Sequence, residues 1–83
     1  MKILIVGSKS RLIHLKDFSY ELEKFGMKCK VIAETDFLEK FFDLNLKKKY
    51  STNKKLKILL NDFEPNIVLL DKISRIGKIF LDE

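Results

Sequence analysis

Three short apolar runs punctuate this chain: Ile3, Leu4, Ile5 and Val6; Val31 and Ile32 within 30–33; and Ile67, Val68, Leu69 and Leu70. A continuous apolar run without alternation fits a strand covered on both faces. Each run ends where the chain turns polar, at Gly7 and Ser8, at Glu34, Thr35 and Asp36, and at Asp71. Between the first two runs, Leu15, Phe18, Leu22 and Phe25 recur at spacings of three, four and three, with Lys16, Asp17, Glu21, Glu23 and Lys24 among them. That is the stripe of an amphipathic helix over about 11–25, which Gly26 ends by taking a left-handed conformation without a Cβ clash.

After the second run, Asp36 is placed to cap a helix in which Phe37, Leu38, Phe41 and Phe42 share a face, continuing to about residue 46. Ser51, Thr52 and Asn53 favour caps and turns, so 49–53 reads as a loop. Leu56, Leu59, Leu60 and Phe63 then give the i, i+3, i+4, i+7 pattern of a third helix, closed before Pro65. Beyond the last run, Ser74 is placed to cap a short helix with Ile76, Ile79 and Phe80 on its apolar face.

The predicted order is βαβααβα. Strands alternating with helices imply parallel pairing and right-handed crossovers. The expected fold is α/β, a three-layer open parallel sheet in strand order 2-1-3 with helices on both faces. It amounts to a Rossmann-like half-domain, with residues 1–83 as a single partial domain.

Charge changes this picture only locally. The net +5 is concentrated in Lys47, Lys48, Lys49, Lys54, Lys55 and Lys57, in an acid-free stretch between Asp43 and Asp62, leaving eleven bases against twelve acids elsewhere. Fifteen of the seventeen bases are Lys, whereas phosphate and base-edge recognition favours the planar fork of Arg. A solvated lysine face is therefore expected over a nucleic-acid patch. A single Cys29 forms no internal disulfide, no apolar run approaches the roughly 20 residues of a membrane span, and the first apolar run is too short for a signal-peptide core. The expectation is a cytoplasmic protein.

Ligands of open parallel sheets bind beyond the carboxyl ends of the strands, where successive connections leave in opposite directions. The first such loop offers Gly7, Ser8, Lys9, Ser10 and Arg11, with backbone N–H groups, two hydroxyls and two cations suited to an anionic or sugar-like ligand. The alternative is that Gly7 simply makes the turn. Asp71 ends the last strand, where a carboxylate needs a partner or an open crevice, and Arg75 is near enough in sequence to supply the partner. A structural ion pair and a binding role are equally open for these two.

The glycine fingerprints of dinucleotide and P-loop sites are missing, and Val6, Gly7 and Ser8 stand where a phosphoacceptor receiver domain would need carboxylates. One His and one Cys cannot assemble a multi-ligand His/Cys metal cluster. No catalytic residue and no metal ligand is assigned. His14, near the start of the first helix, has no assigned triad partner. Cys29, between Lys28 and Lys30, has a basic setting that favours thiolate, yet is expected to be a small structural hydrophobe. Phe37, Phe41 and Phe42 are expected to form a core face rather than a stacking platform.

Three segments together, MKILIVG at 1–7, FSYELEKFGMKCKVIAE at 18–34 and NDFEPNIVLLDK at 61–72, resemble the N-terminal domain of family-4-like glycosyltransferases of the two-Rossmann GT-B architecture. Leu22, Phe25, Gly26, Lys30 and Val31 echo that family's helix, glycine and second strand. Phe63, Pro65 and the run at 67–70 echo the approach to its third strand. The resemblance implies an acceptor-side unit, with the sugar nucleotide bound by a donor domain outside this chain and no cofactor held by these residues. It implies no transfer by the chain alone. The expected partner is a complementing transferase domain, or another copy joined through an open sheet edge. The alternative is a free-standing α/β interaction or regulatory module whose lysine stretch docks an acidic partner.

Overall fold

A computed structural model describes residues 1–43, 47–72 and 76. Its centre is the strand β1 (Lys2–Gly7), followed by a 3₁₀ turn (Lys9–Arg11) and helix α1 (Leu12–Glu23), then β2 (Lys28–Ala33). A second 3₁₀ turn (Glu34–Phe37) leads into β3 (Leu38–Asp43) and β4 (Lys47–Thr52), then α2 (Lys54–Phe63) and β5 (Ile67–Leu70). Strands β2, β1 and β5 form a parallel sheet in that order. The most apolar strand thus lies in the middle, where both its faces are covered, and the 2-1-3 order expected for the three apolar runs is met.

The two faces of β1 feed separate clusters, as alternation along a strand requires. Ile3 and Ile5 join Leu15 of α1, with Leu22, Met27, Cys29 and Val31 packed around them. Leu4 and Val6 join Ile32, Leu56, Leu59 and Ile76, with Phe37, Leu38, Leu60, Phe63 and Leu70 around those. Helix α1 therefore covers one face and α2 the other. Each fully buried aliphatic side chain in these layers contributes about 1.5–3 kcal/mol of transfer free energy.

Two sequence expectations need correction. The predicted second helix over 36–46 and the loop over 49–53 are replaced by an antiparallel hairpin, β3 paired with β4 from Leu38↔Thr52 to Asp43↔Lys47. The order of elements is thus not βαβααβα. The aromatic and hydroxyl residues here are good strand formers. Helix α1 is rotated from its expected stripe: Leu15 and Ser19 are buried and Leu22 is half-buried, while Phe18 is exposed and Phe25, beyond the helix, is 80% exposed. Ser19 tolerates burial because its Oγ donates to the Lys16 carbonyl at 2.7 Å. Among the described residues β5 lies at the edge of the parallel sheet, as the order 2-1-3 implies, with Ile67, Val68 and Leu69 exposed.

The third helix and its limits agree with the sequence. Asn53 caps α2 by accepting from Leu56 N, and its own N–H donates to the Phe37 carbonyl at 2.9 Å. Glu64 closes the helix in a left-handed conformation (φ 50°), its N–H donating to the Leu60 carbonyl, and Pro65 follows. Of the helix expected after Ser74, Ile76 is helical and fully buried against the α2-side cluster. Ser74, Ile79 and Phe80 lie outside the described residues.

Candidate functional site at the carboxyl end of the sheet

Strand β1 connects toward β2 through α1, whereas β5 lies on its other side, so the crevice beyond the carboxyl ends of β1 and β5 is the switch point of this sheet. Asp71 prolongs β5 by one residue, its N–H donating to the Val6 carbonyl at 2.9 Å. That bond sets the carboxylate beside the β1 turn. Arg11 answers from the end of the 3₁₀ turn, its Nε donating to Asp71 Oδ2 at 3.0 Å. The carboxylate is mostly buried and the guanidinium is 41% exposed, so the pair opens toward solvent on the arginine side.

Gly7 is what lets these groups approach. A Cβ there would collide with Leu15 Cδ1 of α1 and stand 3.3 Å from Asp71 Cβ and 3.4 Å from Asp71 Oδ2. The glycine serves close packing of helix, turn and strand end at once. Next to it, Ser8 and Ser10 are joined through their hydroxyls at 3.2 Å, and the Arg11 N–H donates to the Ser8 carbonyl to close the turn. Lys9 and Ser10 are exposed and Ser8 half-buried.

Of the residues singled out from sequence, Gly7, Ser8, Ser10, Arg11 and Asp71 converge at this end of the sheet. Lys9 is in the same turn with its side chain in solvent. Arg11, distant by sixty residues, bonds the Asp71 carboxylate. Arg75 lies outside the described residues. Parallel pairing of β1 with β5 was the sequence signal for the Arg11 contact, since it brings the two strand ends together.

His14 is exposed on α1, away from this cluster's bonded pairs. Cys29 is half-buried on the α1 side of the sheet, where burial, with the nearby Glu23 charge adding to it, pushes its thiol pKa up. The basic setting read from Lys28 and Lys30 does not activate it, because alternate strand residues point to the opposite face and both lysines are exposed. Phe37 packs against the α2-side core, as expected.

The lysine stretch is divided between two elements. Lys47, Lys48 and Lys49 lie on β4, whereas Lys54, Lys55 and Lys57 lie exposed on α2. Among the described residues there is no group of three or more His, Cys, Asp or Glu placed to hold a metal ion. No helix among them is long and apolar enough to cross a membrane. Comparison with protein-family models, with characterised proteins and with solved structures finds no match to this chain.

Proposed function

We propose that this chain is the acceptor-side unit of a glycosyltransferase, contributing one wall of a cleft whose sugar nucleotide is held by a separate donor-binding unit. The observation that carries this reading is the Arg11–Asp71 pair at the switch point, flanked by the Ser8 and Ser10 hydroxyls. A saccharide presents vicinal hydroxyls that both donate and accept. Serine hydroxyls match either role, and the free lone pairs of Asp71 accept. Among the described residues Arg11 bonds Asp71 through its Nε, which leaves its terminal N–H groups to donate. The chain's part in the reaction is to bind and orient the acceptor, and transfer requires the donor-binding unit. The three parallel strands in the order β2-β1-β5, with a helix on each face, are the framework such a Rossmann-like unit uses.

The test is an amide-shift titration of the full chain with mono- and disaccharides. Binding at the proposed place moves the amides of Gly7, Ser8, Lys9, Ser10, Arg11 and Asp71 together, and Arg11→Ala reduces the effect. Absence of shifts there at millimolar sugar would reject the reading.

A second reading, a free-standing interaction module, is favoured by one observation: exposed Lys54, Lys55 and Lys57 continue a basic run that begins on β4. An acidic peptide would then shift the α2 amides instead, with an affinity that falls steeply as salt is raised.

A further inference from the structure

We draw no further inference here: the strongest candidate, the surface at exposed Phe18 on α1 and Phe25 just beyond its end, is an unpartnered apolar face, and nothing in the structure shows what covers it.

Discussion

Two glycines in this chain are required for different reasons, and the difference is measurable. At Gly7 the obstacle is space, since an added Cβ meets Leu15 and crowds Asp71. Gly7→Ala is expected to cost about 1–3 kcal/mol, the range for overpacking a close contact, and to disturb the Arg11–Asp71 pair as the helix shifts. At Gly26 space is open, with nothing within 4 Å, but φ is +85°. Gly26→Ala should therefore cost about 1–2 kcal/mol of backbone strain while leaving the amide spectrum of the carboxyl-end cluster unchanged. Thermal melts rank the two, and the spectra separate their mechanisms.

Cys29 supplies a third residue-level test. Because its thiol pKa is raised in the fold, the native state holds the proton more tightly than the unfolded chain. Stability is then expected to fall as pH rises through the ordinary thiol range, and Cys29→Ala should flatten that part of the profile. Denaturant midpoints for both proteins between pH 7 and 10 check the sign. Reagents specific for thiolate should modify the native protein slowly at neutral pH.

At the scale of elements, Asn53 is the joint between hairpin and helix. Its Oδ1 caps α2, its Nδ2 donates to the Asp36 carbonyl at 3.1 Å, and its N–H meets the Phe37 carbonyl. Asn53→Ala should cost about 1–2 kcal/mol, and Asn53→Asp less, since it keeps the cap acceptor and loses only the amide donor. The cap was legible in the sequence, as were the third helix and the three apolar strands, because each is written in local pattern. The hairpin was not. Phe37, Leu38, Phe41 and Phe42 satisfy a helical face over so short a span, and three consecutive lysines looked like solvated loop. What decides between helix and ladder is the partner strand, and the pairing of Asp43 with Lys47 is visible only once antiparallel register is tried. The rotation of α1 was hidden for a related reason: helical periodicity ranks residues by polarity, and buried Ser19 finds its acceptor within the helix itself. At the carboxyl end, the first loop and Asp71 were both legible, but the arginine that pairs with Asp71 depended on which strands become neighbours.

For the whole molecule, the hairpin is an appendage to a sheet that does not use it for pairing, the two sheets being separate. Replacing residues 40–50 with an Asn-Gly turn between Glu39 and Ser51, which are opposite in the ladder, should leave the β2-β1-β5 sheet folded. Retained amide shifts at β1 would bear this out, and a collapsed spectrum would show that the arm supports the core. The Arg11–Asp71 pair is a weaker brace than its position suggests. With the guanidinium 41% exposed, Arg11→Ala is expected to cost less than about 1 kcal/mol.

The central place of β1 also fixes when this protein can fold during its own synthesis. The strand with the greatest need for cover leaves the ribosome before either of its neighbours, β2 following it and β5 arriving much later. The amino end records that delay: Lys2 N donates to Asn66 Oδ1 and accepts Asn66 N at its carbonyl, across sixty-four positions of chain. Until Leu70 has emerged, an aliphatic strand has one flank unpaired, and such late, long-range closure is slow and vulnerable to aggregation. The nascent chain is thus most in need of a chaperone during translation of the hairpin and α2, which have to be made before the sheet can close.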